Sequence, residues 1–144
     1  WGHAKDFVYG MWLMMQQDKP EDFVLATGKT TKVKDFIKLA FNELDIDVYF
    51  EGTGTNEVGR VKECKGKYVI EKDKVVVEVD PKYFRPTEVD LLIGDPTKAK
   101  EKLGWVAEHD LASLVKDMMQ SDVKLMQRQQ YLNKGGYTSN LNFE

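Results

Sequence analysis

The stretch "DFVLATGKTTKVKDFIKLAFNELDIDVYFE", residues 22–51, decides the fold. Its first seven residues are an apolar run closed by Gly28, too short for a helix and flanked by breakers, so residues 22–28 read as a strand buried on both faces. Thr31 stands where a helix N-cap is wanted. Behind it Val33, Phe36, Ile37, Ala40, Phe41 and Leu44 recur at the three- and four-residue spacing of one helical face. "IDVYFE" at 46–51 is extended in character, and strand, helix, strand in succession places the chain in the α/β class.

Upstream, Phe7, Val8, Met11, Trp12 and Met15 fall on one side of a helix that stops before "DKPED" at 18–22. That stripe, with Met14 and Trp1, reads as core packing and not as a ligand stack. Downstream, "GTGTNEVGR" at 52–60 has the composition of a loop, and "GRVKECKGKYVIEKDKVVVEVD" alternates β-branched and charged residues around "KG" and "KD" turns, which predicts short antiparallel strands. Asp95 caps a short helix with Pro96 at its first position and Gly104 past its end. Leu111, Val115, Met119, Val123 and Met126 mark a last helix of about 20 residues, and beyond "NKGGY" at 133–137 the helical periodicity ends.

The chain has 144 residues, enough for one domain with its own core. No apolar run approaches the roughly 18 residues of a membrane span, and the membrane is excluded. A formal charge of -3, with lysines scattered among carboxylates, argues against nucleic acid. The single cysteine, Cys64, permits no internal disulfide and fits a reducing, cytoplasmic setting. With only two histidines, a zinc site is not expected. The opening at Trp1, without methionine or a signal-peptide layout, leads us to expect a piece of something longer.

Two patterns mislead. "EGTGTNEVG" at 51–59 imitates a phosphate-binding loop, but its glycine spacing is wrong and strands follow it where a helix N-terminus is required; a flexible connection is the simpler reading. Tyr68 and Lys72 copy the Tyr-x-x-x-Lys spacing of short-chain dehydrogenases. On a strand, however, four residues span about 13 Å, too far for a lysine to act on the tyrosine.

"KYFRPTEVD" at 82–90 carries a different signal. Pro86 biases Arg85 away from helical backbone, so its guanidinium is presented from an extended segment or turn, with Glu88 three residues on. A planar fork of donors held that way suits a diphosphate. An arginine salt-bridged on the surface fits the same residues equally well, and the local sequence leaves both readings open.

The longer segment "VDPKYFRPTEVDLLIGDPTKAKEKLGW" at 79–105 resembles the C-terminal signature of GDP-mannose 4,6-dehydratases, as do "WGHAKDFV" at 1–8, "PEDFVLATG" at 20–28 and "FEGTGTNEVGR" at 50–60. The resemblance extends to about Asp122. It implies the C-terminal part of an NAD(P)-binding, Rossmann-type extended short-chain dehydrogenase/reductase. Residues 1–45 would supply a helix, the last Rossmann strand and a further helix. Residues 46–132 would form the smaller mixed α/β substrate-binding domain, and residues 133–144 a tail.

The implied activity is that of a lyase in the GDP-fucose pathway, converting GDP-D-mannose to GDP-4-dehydro-6-deoxy-D-mannose. The sugar is oxidised at C4, water is lost across C5 and C6, and an internally recycled NADP returns its hydride to C6; the C4 ketone acidifies the C5 proton so that a base removes it at neutral pH. By the same resemblance Arg85 grips the diphosphate and Glu88 helps hold the GDP, with Arg60 and Glu51 as further candidates for the substrate pocket. His3 and Lys5 are expected to be structural.

The family's catalytic Thr, Glu, Tyr and Lys, and its NADP-binding part, match nothing here, so the chain alone is expected to be inactive. An apolar surface and an unpaired strand edge, cut from their sheet, would favour a homo-oligomer. The alternatives are a free-standing GDP-sugar-binding or interaction module, and a related nucleotide-sugar reductase or epimerase.

Overall fold

A computed structural model describes residues 1–85 and 92–137. Helix α1 spans Ala4–Met15, α2 Val33–Asn42, α3 Thr97–Leu103 and α4 Leu111–Lys134. Strands β1 (Ile46–Glu51), β2 (Val58–Cys64) and β3 (Val75–Glu78) form an antiparallel sheet in the order β1-β2-β3, with a 3-10 turn at Gly54–Asn56 between the first two. Mixed α/β is therefore right. No helix among the described residues is long and apolar enough to cross a membrane.

The sheet side closes its own core. In β1 the alternation of "IDV" sends Ile46 and Val48 inward and Asp47 outward, and Val61 of β2 is the register partner of Val48. Phe41 near the end of α2 and Leu44 just past it cover these three buried residues, together with Tyr68 and Ile70. Asp45, at φ 59°, adopts the left-handed conformation that turns α2 into β1, and its carbonyl accepts from Lys65 N at 2.8 Å.

Several expectations need correction. Residues 22–28 belong to no strand, and Val24 is half exposed instead of buried on both faces. A strand exists only by pairing, and no described strand lies beside this segment. The "KYVIEK" segment at 67–72 is not a strand either. Asp73 N donates to Val61 O at 2.8 Å and Val61 N to Lys74 O at 3.0 Å, so β2 pairs directly with the chain leading into β3. The residues between instead fold Tyr68 and Ile70 over the core, and Cys64 Sγ lies 3.6 Å from Ile70 O. Thr31 does not cap α2: Lys32 occupies the N-cap without a side-chain bond, and Thr31 O accepts from Trp1 Nε1 at 3.1 Å.

Helix α1 turns most of its apolar stripe outward, with Trp12 54 % and Met15 83 % exposed instead of packed in a core, which is the uncovered apolar surface expected of it; its buried residues are Asp6 and Gly10. Gly10 admits Trp105: a Cβ there would stand 2.8 Å from Trp105 Nε1 and 2.6 Å from Leu25 Cδ1. Trp105, 1 % exposed, donates from Nε1 to Asp6 O at 2.7 Å and meets the Phe7 ring edge-on at 5.9 Å.

The two C-terminal helices begin and end for legible reasons. Asp95 Oδ1 accepts from Thr97 N at 3.0 Å, which satisfies a first-turn donor of α3, although Pro96 rather than Asp95 is the N-cap; Gly104 closes α3 at φ 67°. Asp110 caps α4 through Ser113 N at 2.8 Å, and α4 runs 24 residues, somewhat beyond expectation.

Candidate functional site

Arg85 lies two residues past a turn that Asp80 builds. Asp80 Oδ1 accepts from Lys82 N at 2.9 Å and its carbonyl from Tyr83 N at 3.0 Å, a short side-chain-anchored turn of the kind aspartate favours. The turn brings Phe84 over the glycine loop, where a Cβ on Gly54 would lie 3.9 Å from the Phe84 ring. Arg85 is exposed and makes no ion pair with any described residue. Glu88 lies outside the described residues.

The loop under Phe84 is built, not merely a connection. Gly52 stands at φ 83° with Asn56 O 2.2 Å from where a Cβ would be, so only glycine fits. Glu57 ends the 3-10 turn and pairs with Lys34 of α2 at 2.5 Å, tying the loop to the helix.

Arg60 and Glu51 are brought together, but with each other. Arg60 Nε donates to Glu51 Oε1 at 2.5 Å across the β1-β2 ladder, and Nη1 donates to Asp73 O at 2.8 Å. That carboxylate raises the Arg60 pKa further above its already high value. Tyr49, the register partner of Arg60, donates from its hydroxyl to Asp73 Oδ1 at 3.0 Å. Tyr68 and Lys72 share no helix, and the lysine over the Tyr68 ring is Lys67, at 5.0 Å.

A polar cluster that sequence reasoning missed sits where α1 meets the start of α4. Asp6, 5 % exposed, accepts from His109 N at 3.0 Å and lies 2.8 Å from His109 Nδ1. Burial pushes the Asp6 carboxyl up, but the backbone and side-chain bonds from His109 outweigh it and hold the group below the ordinary aspartate value. His3 caps α1, its Nδ1 accepting from Lys5 N at 3.2 Å, while its ring stacks on His109 at 4.2 Å and its Nε2 lies 3.2 Å from Asp117 Oδ2. His3 is thus structural. Partners 103 and 114 positions apart leave no local signal. No group of three or more potential metal ligands occurs among the described residues.

Arg85 is exposed, two residues past the turn, and an exposed guanidinium can take an anionic ligand. Comparison with known proteins shows the family. The family model described as GDP-mannose 4,6 dehydratase matches residues 1–118. The GDP-mannose 4,6-dehydratase of Vibrio cholerae serotype O1 is 45% identical over the whole chain, and that of Yersinia enterocolitica 40%. The Homo sapiens enzyme is 50% identical over 88% of the chain. The chain belongs to the GDP-mannose 4,6-dehydratase family. It spans 39% of the length of the two bacterial relatives and 32% of the human one.

Proposed function

We propose that the chain is the substrate-side portion of a GDP-mannose 4,6-dehydratase, the lyase that converts GDP-D-mannose to GDP-4-dehydro-6-deoxy-D-mannose with NADP recycled inside the protein. The observation that carries this reading is Arg85. In a chain matched to the family over residues 1–118, Arg85 is exposed, has no ion pair among the described residues, and follows Phe84, whose ring stands near Gly54 of the glycine loop. Such a group is available to a diphosphate without first breaking an ion pair to a described residue.

In this proposal Arg85 binds the diphosphate and Glu88 steadies the nucleotide. Arg60 and Glu51 already satisfy each other, so they border the pocket as a fixed pair and shape the β1-β2 edge beneath the loop. In this proposal NADP is held outside the described residues, whose three strands are all antiparallel. The cofactor belongs to the remainder of the parent protein, as do the reacting groups, and this chain's share is to bind and orient the sugar nucleotide. Residues 1–45 form the face toward that remainder, and residues 46–132 the substrate domain. Left uncovered, the apolar side of α1 makes the chain self-associate.

Titrating GDP-mannose by calorimetry into the folded chain and into Arg85→Ala tests the reading. Saturable binding that weakens tenfold or more in the variant, about 1.4 kcal/mol, is expected. Equal affinity for both chains would dismiss Arg85 as the diphosphate contact.

A further inference from the structure

Where α1 meets the start of α4, the stacked rings of His3 and His109 each face a carboxylate, Asp117 Oδ2 at 3.2 Å from His3 Nε2 and Asp6 Oδ1 at 2.8 Å from His109 Nδ1. Both rings line one cavity of about 250 Å³. We propose that the pair is a pH-sensitive latch, independent of any nucleotide-sugar role: a proton arriving on His3 Nδ1 uncaps α1 and loosens its hold on α4.

The hydrogen bonds fix where protons already sit. Lys5 N donates to His3 Nδ1 at 3.2 Å, so that nitrogen is bare and the ring hydrogen is on Nε2, directed at Asp117. Asp6 accepts from His109, so His109 Nδ1 carries a hydrogen, and its Nε2 has no hydrogen-bond partner among the described residues. The two rings therefore take a further proton differently. On His109 it lands at Nε2 and breaks nothing. On His3 it must land at Nδ1, the acceptor of a first-turn amide that the helix itself leaves unsatisfied, and one lone pair cannot serve both.

The charges around His3 come from three places. On α1, Lys5 lines the same cavity and opposes a cation, while Asp6 is committed to His109. Before α4, Asp110 is engaged as its cap, and Glu108 lines a neighbouring cavity. On α4, Lys116 opposes a cation; Asp117 attracts one, but its side chain is 65 % exposed and its attraction is screened. A protonated His109 would add a second cation 4.2 Å away. Imidazoles change charge between about pH 5 and 8, so the latch acts well above the range in which carboxylates titrate. Because α1 carries the outward apolar stripe, the uncapped helix presents that stripe less rigidly in acid.

Imidazole nitrogen NMR and amide exchange on the full chain test this. At pH 8 His3 shows a bare Nδ1 and a protonated Nε2. At pH 5 both nitrogens carry hydrogen, and the protection factors of Lys5, Asp6 and Phe7 fall at least tenfold while those of β1 hold. His3→Asn keeps a cap acceptor that does not titrate, so its first-turn protection is the same at both pH values. First-turn protection that stays level in the parent, or a fall that persists in His3→Asn, overturns the proposal. So does hydrogen on His3 Nδ1 at pH 8, a reading that needs no variant, since the cap would then be missing from the start.

Discussion

The sheet and helix α1 treat their apolar residues in opposite ways. On the sheet, Ile46, Val48 and Val61 are covered by Phe41, Leu44, Tyr68, Ile70 and Val76 among others, all drawn from residues 41–76, so this core is assembled within a short span of chain. On α1 the stripe Val8, Met11, Trp12 and Met15 faces outward, and the inward side carries a carboxylate and a glycine. An exposed apolar stripe on a helix that is nonetheless anchored is what the proposed covering layer would require. The anchor is Trp105 and Asp6, and the experiments below separate anchor from stripe.

The largest effect should come from Trp105→Ala. The ring is almost wholly buried, accepts the edge of Phe7 and bonds the Asp6 carbonyl, so its removal should cost about 3 to 5 kcal/mol in urea unfolding. Hydrogen exchange sharpens the comparison. If the two regions are distinct, α1 and residues 105–110 lose protection while β1 and β2 keep theirs. Uniform loss across the sheet would show that the two sides melt as one unit.

A smaller effect is the acid sensitivity of the same anchor. The folded Asp6 pKa is depressed below its unfolded value of about 3.9. Its stabilisation is therefore present above about pH 4 and is lost as pH falls through the folded value. Asp6→Asn keeps the shape but not the negative charge facing His109, and should cost about 1 to 3 kcal/mol at pH 7 while flattening the fall in stability below about pH 4. An unchanged acid limb in Asp6→Asn would mean that other carboxylates govern it.

The same contrast explains what could be read in advance. The α2 helix and "IDVYFE" were legible because hydrophobic period fixes them: Ile46 and Val48 are buried and Phe41 and Leu44 pack on them, although α2 itself has no buried residue and Val33 is exposed. Asp95, Gly104 and Asp110 were legible or nearly so because capping is local. Residues 22–28 carry a strand's composition, but pairing is a property of a neighbour. The "KYVIEK" alternation was real, yet the core needed Tyr68 and Ile70 as a lid more than β2 needed another partner. At the site, the turn around Arg85 follows from its own residues, while the Arg60–Glu51 pairing depends on ladder register and the Asp6–His109 bond on chain ends meeting.

The smallest effect on stability, and the sharpest on the comparison, belongs to Trp12→Lys. Among the described residues Trp12 stacks on Tyr9 alone, at 5.8 Å, and is half exposed; substitution at an exposed site usually changes folding free energy by about 0.5 kcal/mol or less. The substitution nevertheless puts a charge at the centre of the outward stripe, where any apolar covering layer would have to desolvate it. Sedimentation of the chain should therefore show association for the parent and a lower mass for the variant, at nearly equal melting temperatures. A variant that melts many degrees lower would mean that the Trp12 face is already packed within the chain, and the division between a closed sheet core and an open helix would fail.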